Sequence, residues 1–293
     1  MESWRLIVDG PAPAARNMAV DEAILSAVEA GEAPPTLRLY RWAPPAVSLG
    51  YFQEWGESVN EEACREAGVD VVRRPTGGRA VFHADEVTYA VVLPPGHPLA
   101  GRTVMEGYRR ISEALAAGLR RLGIEAVLAR PAAGPPGQGR QALAGACFDS
   151  ASRYELEWRG RKIAGSAQLR RASGAVLQHG SIPLRFDPDL TARLLAPQGR
   201  GERFLRLLLS QRAGSLSEAA GRPVGFQEAC EALVAGFAQA VGLTWERGGL
   251  SPAEEALARR LEAERYGVPS YNRLRPDARA RAAAPGEASH AAR

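Results

Sequence analysis

The segment VDVVRRPTGGRAVFHADEVTYAVVL, residues 69–93, contains two short runs of β-branched and aromatic residues on either side of a polar stretch with paired glycines. The two runs, 69–72 and 87–93, have the composition of strands. Gly77 and Gly78 allow the backbone to approach a ligand with no side chain in the way, and the flanking arginines can bind a carboxylate or a phosphate. The segment therefore predicts two strands joined by a candidate binding loop. Taken alone, it fits a plain glycine turn with solvated arginines equally well.

Strand and helix patterns are interleaved on both sides of this segment. Alternating apolar and polar residues are typical of a strand, and apolar residues at every third or fourth position are typical of a helix. Further strands are expected at 4–8, 37–41, 46–51, 154–158, 161–163 and 176–184. Helices are expected at 17–30, 60–67, 103–123, 190–195, 202–209, 227–241 and 253–266. The pattern predicts an α+β catalytic domain over 1–248, a helical C-terminal extension over 249–275, and a disordered tail over 276–293.

Two local signals support this assignment. Thr103 and Glu106 have the spacing of a capping box at the start of the clearest helix. Arg159 and Gly160 separate two strand-like runs by two residues, which is typical of a hairpin.

The composition is that of a globular protein, with 293 residues, 45% apolar and 24% charged. The three cysteines are an odd, sparse set that is typical of a reducing compartment. No stretch approaches the ~20 apolar residues that span a bilayer, and the N-terminus lacks the basic and apolar segments of a secretory signal. We therefore expect a cytoplasmic protein with no membrane association.

The net charge is +4, from 37 basic and 33 acidic residues, and the pI is near 9.2. This balance suits an acidic partner, although the excess is small for the length. A nucleic-acid-binding module is the alternative from a different class, but no basic stripe interleaved with aromatic residues occurs in the sequence. We expect no nucleic acid partner.

The basic residues include a single lysine, Lys162, and the other cations are all arginines. Guanidinium stays charged, whereas a lysine amine can be tuned by burial and can exchange its proton. Lys162 is therefore a candidate working group. The alternative explanation is that Lys162 has been retained by chance in a GC-rich genome.

The cysteines differ in their surroundings. Cys64 and Cys230 fall on apolar faces of expected helices, where a thiol packs as a small hydrophobe. Cys147 instead lies in the glycine-containing stretch AGACFDS, residues 144–150. A thiol has a pKa near ~8.5 and needs a nearby cation or a helix N-terminus to react as a thiolate at neutral pH. Cys147 is the candidate nucleophile, and Lys162, fifteen positions later, is a candidate cation that the spacing permits without requiring.

A third segment of interest is GRKIAGSAQ, residues 160–168, followed by QHG at 178–180. The small residues after Lys162 leave room for a ligand or a close backbone contact. His179 is either a ligand-facing group or a hydrogen-bonded strand histidine.

Several common catalytic motifs are missing. The sequence has no Walker loop, no paired cysteines at zinc spacing and no His-Glu-x-x-His. Residues 137–142 match the sequence pattern of a dinucleotide-binding motif, but they follow two prolines and precede no clear helix. We expect no metal and no cofactor.

Together, these segments resemble the biotin/lipoate protein ligase superfamily over residues 4–272. The motifs occur in the order of the family: WR at 4–5, NMAVDEA at 17–23, SLGYFQ at 48–53, RRPTGGR at 73–79 with His83, CF at 147–148, and GRK with GSAQ at 160–168. Within the superfamily the chain is similar to the octanoyltransferases of the cysteine-loop form found in Gram-positive bacteria. The resemblance implies mixed sheets flanked by helices, with a small helical C-terminal subdomain.

The resemblance also implies an activity. Such an enzyme moves octanoate from octanoyl-acyl carrier protein to a lysine of a lipoyl domain, such as the glycine-cleavage H protein or a dehydrogenase E2, without ATP. We expect the chain itself to be a monomer. By this resemblance Cys147 forms the acyl-thioester, and Lys162 lowers the pKa of the thiol and orients the acyl carbonyl. The acyl and pantetheine pocket is then expected between two sets of residues: Arg73, Arg74, Thr76, Gly77, Gly78 and His83 on one side, and Gly165, Ser166, His179 and Gly180 on the other. The oxyanion donors are either the Gly77-Gly78 loop or amides near Cys147.

Two related activities are the alternatives. An ATP-dependent lipoate ligase needs no cysteine nucleophile and usually has Gly-Asn after the histidine loop, where this chain has DEVT at 85–88. An amidotransferase that moves octanoate between lipoyl-bearing proteins tends to lack the Gly-Arg and His arrangement present here as Gly78-Arg79 and His83. Ala84 departs from relatives that often carry an acid at this position, which leaves the role of that position open.

Overall fold

The computed structural model describes residues 2–129 and 155–277. Its strands are β1 Glu2–Ala12, β2 Thr36–Trp42, β3 Ala46–Leu49, β4 Asp70–Arg73, β5 Val81–His83, β6 Glu86–Leu93, β7 Val127–Leu128, β8 Leu156–Trp158, β9 Arg161–Arg170, β10 Val176–Pro183 and β11 Leu243–Arg247. Its α-helices are α1 Ala14–Glu29, α2 Glu61–Glu66, α3 Val104–Arg120, α4 Pro188–Leu195, α5 Glu202–Arg212, α6 Leu216–Ala220, α7 Phe226–Val241, α8 Pro252–Leu261 and α9 Pro269–Arg273. Cys147, the stretch 137–142 that matches a dinucleotide-binding pattern, and all but the first two residues of the expected tail lie outside the described residues.

Two sheets form the framework. Within the described ranges the larger sheet has eight strands in the order β11-β1-β2-β6-β10-β9-β8-β7, and the smaller has three in the order β4-β3-β5. β1 pairs in parallel with β11 and β2, whereas the pairs from β2 through β6, β10, β9 and β8 to β7 are antiparallel. Mixed sheets flanked by helices confirm the predicted α+β fold.

The larger sheet has helices on both faces, because successive side chains of its central strands point to opposite faces of the sheet. Leu37 and Leu39 of β2 join the apolar cluster that includes α3 and α7. Tyr40 and Trp42 belong to the cluster around α1 on the opposite face. β2 thus presents two aromatic side chains to the face that carries the candidate site.

The C-terminal helices share a core with the main body. Ala258 of α8 and Tyr266, in the π-helical turn Glu262–Tyr266, are fully buried in the cluster formed with α1. The buried Glu254 carboxylate of α8 accepts from Arg5 of β1 at 2.6 Å. These contacts fix the C-terminal segment on α1 and β1; the domain boundaries at 248 and 275 stay a prediction.

The local signals agree with the structure at their key positions. Thr103 Oγ1 accepts from the Glu106 amide at 3.1 Å, and Arg159 and Gly160 both have positive φ in the β8–β9 hairpin. The reciprocal half of the capping box is different, because the Glu106 carboxylate accepts from the Arg102 amide at 2.9 Å. Five elements were not expected from the sequence: β5, β7, β11, α6 and α9.

None of the helices in residues 2–129 and 155–277 is both long and apolar enough to cross a bilayer. The same ranges contain no group of three or more His, Cys, Asp or Glu side chains that could hold a metal ion.

Candidate active site

A cavity of about 30 Å³ lies where the two sheets meet. Its walls come from β2, β6, β9 and β10 of the larger sheet, from β3 and β5 of the smaller sheet, and from Met18 of α1. The lining includes six of the ten residues expected to form the substrate pocket: Arg74, His83, Gly165, Ser166, His179 and Gly180.

Arg74 organises one side of the cavity through bonds to protein oxygens. Its Nε donates to Thr76 Oγ1 at 3.2 Å, and its Nη2 donates to the carbonyls of Gly77 at 2.7 Å and Arg79 at 2.8 Å. Its Nη1 donates to the carbonyl and the hydroxyl of Ser48 at 2.9 and 3.1 Å. Because these bonds hold the loop around Gly77, Arg74 shapes the pocket through the backbone of that loop.

His179 is held between a carboxylate and a hydroxyl. Its Nδ1 lies 3.0 Å from Asp21 Oδ2, and its Nε2 lies 2.7 Å from Thr76 Oγ1. Burial lowers the pKa of His179, and the hydrogen bond that its ring donates to Asp21 does not offset this effect. A neutral ring that donates from Nδ1 to the carboxylate must accept at Nε2, so the Thr76 hydroxyl donates to it.

Asp21 keeps its charge despite complete burial. Burial alone raises the pKa of Asp21, but the His179 hydrogen bond and the nearby Arg38 charge outweigh it, and the pKa lies below its usual value. Arg38 Nη1 donates to Asp21 at 2.7 Å, and the Tyr40 hydroxyl donates at 2.9 Å. His179 is therefore anchored on a carboxylate that an arginine already neutralises.

His83 has a similar arrangement on the other side of Arg74. Its Nε2 lies 2.8 Å from Ser48 Oγ, and its Nδ1 lies 2.8 Å from Glu86 Oε1. Ser48 Oγ accepts from Arg74 through a lone pair, so its single hydroxyl proton can be donated to His83 Nε2. Two chains of hydroxyl, imidazole and carboxylate thus meet at one guanidinium.

Gly180 lets strands β9 and β10 close over the cavity. A Cβ at this position would lie 2.4 Å from the Gly165 carbonyl oxygen and 2.7 Å from the Tyr89 ring. The Tyr89 hydroxyl donates to Ser166 Oγ at 2.6 Å. Burial raises the pKa of Tyr89 to about 12, so this hydroxyl remains a donor.

Gly180→Ala is expected to destabilise the fold and reduce activity. The added Cβ must push apart backbone atoms of two central strands, and such overpacking costs about 1–3 kcal/mol in the free energy of unfolding. Chemical denaturation together with the transfer rate measures the effect. Gly10→Ala on β1 is the matched control, because no atom lies within 4 Å of its Cβ position. A Gly180→Ala protein as stable and active as the control would contradict the tight contact.

Lys162 lies at the start of β9 in a buried ion pair. Its side chain is 4% exposed, and Nζ donates to Glu155 Oε1 at 2.5 Å, with the Glu155 side chain 1% exposed. The register between β8 and β9 shifts at this point, since Leu156 pairs with Ala164 and Glu157 pairs with Lys162. A bulge of this kind re-aims side chains and is common beside active sites.

The structure places Arg73 away from the cavity lining. Its Nε donates to the Asn272 carbonyl at 3.1 Å, and its Nη1 donates to the carbonyls of Gly50, Tyr51 and Gln53 at 2.8–3.1 Å. The Asn272 side chain also accepts from the Arg73 amide at 2.8 Å. Arg73 therefore fastens α9 and the loop after β3 to the end of β4.

The other expected residues, Thr76, Gly77 and Gly78, form the loop that Arg74 holds and are not part of the cavity lining. This loop packs directly on Gly50, where a Cβ would lie 1.9 Å from the Gly78 carbonyl oxygen. Gly77 and Gly78 were expected to let the backbone approach a ligand closely. In the structure, the close backbone contact of this loop is with Gly50.

The cysteines that the structure describes are buried. Cys64 and Cys230 are 1% and 2% exposed, and burial raises the pKa of each thiol to about 12. Both thiols are therefore protonated and unreactive at neutral pH. Their structural role agrees with the expectation from sequence, while the contact between Cys147 and Lys162 stays a prediction.

Sequence reasoning did not single out several residues that support the site. Asp21, Ser48, Glu86 and Glu155 are all buried and all bond to a predicted site residue. A signal was present, because an acidic residue within an apolar run is almost never buried unless it is paired. The partner of each residue lies on another element, and the sequence alone does not identify it.

Known proteins with similar sequence are octanoyltransferases, and one with a similar fold is a lipoate protein ligase. Residues 13–238 match the family described as the lipoyl protein ligase A/B catalytic domain. The octanoyltransferase LipM of Kyrpidia tusciae is 49% identical over 269 residues, covering 90% of this chain and 96% of that protein. The octanoyltransferase LipM of Symbiobacterium thermophilum is 46% identical over 271 residues, covering 92% and 98%.

A solved structure supports the same relationship. The structure of an archaeal bipartite lipoate protein ligase and its E2 lipoyl domain, from Thermoplasma acidophilum, has a TM-score of 0.77 at 26% identity, covering 94% of this chain and 98% of that chain. The resemblance drawn from the sequence motifs is thereby confirmed. The chain belongs to the lipoyl protein ligase A/B catalytic domain family.

Proposed function

We propose that the chain is an octanoyltransferase that takes octanoate from octanoyl-acyl carrier protein, holds it as a thioester on Cys147, and passes it to a lysine of a lipoyl domain. The observation that carries this proposal is the 49% identity to an octanoyltransferase over nearly the whole length of both chains. The cavity adds support, because its apolar walls, including Met18, Tyr40 and Trp42, suit an acyl chain. This reaction is the first step of protein lipoylation.

The chemistry proceeds in two steps that need no ATP. In the first, the Cys147 thiolate attacks the carrier thioester, one C–S bond replaces another, and the carrier leaves with a free thiol. In the second, the lysine amine of the acceptor attacks the acyl-enzyme, a C–N bond forms, and the Cys147 thiol is restored. An amide is more stable than a thioester, so the second step is downhill.

Lys162 is the group proposed to stabilise the Cys147 thiolate. Its ammonium is buried beside Glu155, where charge interactions are stronger than in water. Eight positions separate Cys147 from Glu155, and a chain of that length spans at most about 29 Å. The tether therefore allows the sulfur to reach the Lys162 amine.

The partners follow from the activity. The donor is octanoyl-acyl carrier protein, and the acceptor is a lipoyl domain such as the glycine-cleavage H protein or a dehydrogenase E2. The archaeal ligase described above is recorded with its own E2 lipoyl domain, which supports an acceptor of this class. We propose that the chain acts as a monomer.

An ATP-dependent lipoate ligase is the second candidate, favoured by the fold similarity to a lipoate protein ligase. Such an enzyme activates a free acid as an adenylate and has no use for a cysteine nucleophile. An octanoyl amidotransferase that uses a lipoyl-bearing protein as donor is the third.

Three parallel reactions separate the candidates. The first contains octanoyl-acyl carrier protein without ATP, the second contains free octanoate with ATP, and the third contains an octanoylated lipoyl protein. Each includes an unmodified lipoyl domain, whose mass is followed by mass spectrometry. Rapid octanoylation in the first reaction alone is the expected result. Modification confined to the second would assign the chain as a ligase, and modification confined to the third would assign it as an amidotransferase.

A further inference from the structure

Helix α5 presents arginines and large apolar side chains to solvent. Residues 200–212 contain four arginines and one glutamate, so this short segment has a net charge of +3, close to the +4 of the whole chain. Phe204 and Leu207 are 58% and 56% exposed, and their spacing of three places them on one face of the helix. Arg203 and Arg206 form the neighbouring exposed row. We call the following set the α5 face: Arg200, Arg203, Phe204, Arg206 and Leu207.

The packing of α5 does not account for its exposed apolar side chains. The helix packs inward through Leu205 and Leu209, which are 4% and 0% exposed and join the apolar cluster of the smaller sheet. Among the described residues of that cluster, neither Phe204 nor Leu207 is present. The solvent face of a helix is ordinarily polar, whereas aromatic and arginine side chains are enriched together in protein–protein contacts. The α5 face is therefore a candidate interaction surface.

The arginines of the α5 face are available to an anionic partner. Within residues 2–129 and 155–277, no carboxylate lies at ion-pair distance from Arg200 or Arg203. Arg206 pairs with Asp189 at 3.3 Å, but both side chains are more than half exposed, and an exposed pair of this kind contributes little to stability. A partner that carries carboxylates or a phosphate can therefore bind these guanidiniums without breaking a strong internal contact.

The C-terminal end of α5 is attached to the strand that carries Lys162. The Gly214 amide, two residues after the helix, donates to the Lys162 carbonyl at 2.9 Å. Arg161 Nε donates to the Ala213 carbonyl at 2.8 Å. Arg203 precedes Ala213 by ten positions, a rise of about 15 Å along a helix. A partner on the α5 face therefore lies about one helix length from the start of β9.

We propose that the α5 face is the docking surface for the donor, octanoyl-acyl carrier protein. The inference rests on the proposed function and names the surface that one of its partners uses. In this donor the acyl group sits on a pantetheine arm that a phosphodiester joins to the carrier, so the donor always presents an anion beside the arm. Arginine binds phosphate through two parallel hydrogen bonds. Arg200 and Arg203 make this contact, and Phe204 and Leu207 supply the apolar centre of the interface.

Charge also distinguishes the two partners of the reaction. The acceptor presents a lysine whose amine has a pKa of about 10.4, so this group arrives as a cation. A segment with a net charge of +3 repels that cation and attracts the phosphate of the donor. Complementary charges of this kind mainly raise the association rate, and salt weakens them. The KM for the donor should therefore rise with salt concentration.

Reversing two of the charges tests the proposal. In Arg200→Glu/Arg203→Glu, the KM for octanoyl-acyl carrier protein is expected to rise by about tenfold or more with kcat little changed, because the docking contact becomes repulsive. Octanoyl-pantetheine has the arm without the carrier or its phosphate, so its use by the variant should stay within about twofold of wild type. Raising the salt concentration from about 50 to about 300 mM should change the carrier KM of the variant less than that of wild type.

Two further variants separate the parts of the surface. Phe204→Ala should raise the KM for the carrier donor without changing its salt dependence, because salt does not screen an apolar contact. Arg120→Glu is the matched control, since Arg120 is an exposed arginine at the end of α3. That helix packs on the face of the larger sheet opposite to the cavity. The control should use both donors as wild type does.

Binding and turnover measured separately distinguish the possible failures. Fluorescence anisotropy of labelled carrier protein that bears the pantetheine arm reports binding without any transfer. Unchanged binding and donor KM in Arg200→Glu/Arg203→Glu, or equal losses with both donors, would overturn the docking assignment. A raised KM for the lipoyl domain alone, or dissociation of a dimer of this chain by the same substitutions, would assign the α5 face to another occupant and would also overturn it. A wild-type protein that transfers octanoate from neither donor would instead remove the proposed function itself.

Discussion

Cys147→Ala is expected to abolish the octanoyl adduct on the enzyme and to lower the transfer rate by roughly 10⁴–10⁶-fold, the scale seen when a nucleophile is removed. The reason is that the two cysteines in residues 2–129 and 155–277 cannot replace it. Cys64 and Cys230 are buried, and their thiols have a pKa raised to about 12. Intact-mass spectrometry after mixing with octanoyl-acyl carrier protein measures the adduct directly.

The matched controls for this variant are Cys64→Ala and Cys230→Ala. Each removes a thiol that packs in an apolar cluster, so each should retain the adduct and lose at most modest stability. Full turnover by Cys147→Ala, or loss of the adduct in either control, would contradict a nucleophilic role for Cys147.

Lys162→Arg is expected to lower the transfer rate by about 10²-fold or more while keeping the positive charge. The Lys162 side chain is 4% exposed, and its Nζ is 2.5 Å from Glu155. The planar guanidinium is larger than an ammonium and does not exchange its proton in the same range. The rate of Cys147 alkylation as a function of pH, measured with a small thiol reagent, reports the effect on the thiolate.

Lys162→Met separates charge from shape. Removing one member of a buried ion pair typically costs about 3–5 kcal/mol, so the free energy of unfolding should fall by about that amount. The pH profile of Cys147 alkylation should move to higher pH, because the ammonium no longer favours the thiolate. Lys162→Arg at wild-type activity, or an unchanged alkylation profile in Lys162→Met, would show that the amine does not act on the sulfur.

The parts of the fold that could be predicted from sequence have local causes. The Thr103 cap, the Arg159-Gly160 turn and the apolar run of β6 each depend on residues a few positions apart. β11 escaped prediction because it is short, mostly exposed, and pairs in parallel with β1, more than 200 residues earlier in the chain. α9 is five residues long and is fixed by the bond between Asn272 and Arg73.

The candidate site shows the same division. Motifs identified Arg74, His83 and His179, which do line the cavity. The sequence could not show that Arg73 faces α9, because that contact joins residues 199 positions apart. It likewise could not assign Glu86 to His83, because neighbouring Asp85 offers the same chemistry one position away and only the strand register selects between them.

The central claim is that Cys147 carries the acyl group between donor and acceptor. Its most direct test is peptide mapping by mass spectrometry of wild-type protein quenched within seconds of adding octanoyl-acyl carrier protein in the absence of ATP. We predict a single octanoyl group on the peptide containing Cys147, which disappears when a lipoyl domain is added. Octanoylation of the lipoyl domain with no thioester on that peptide at any time would contradict the account.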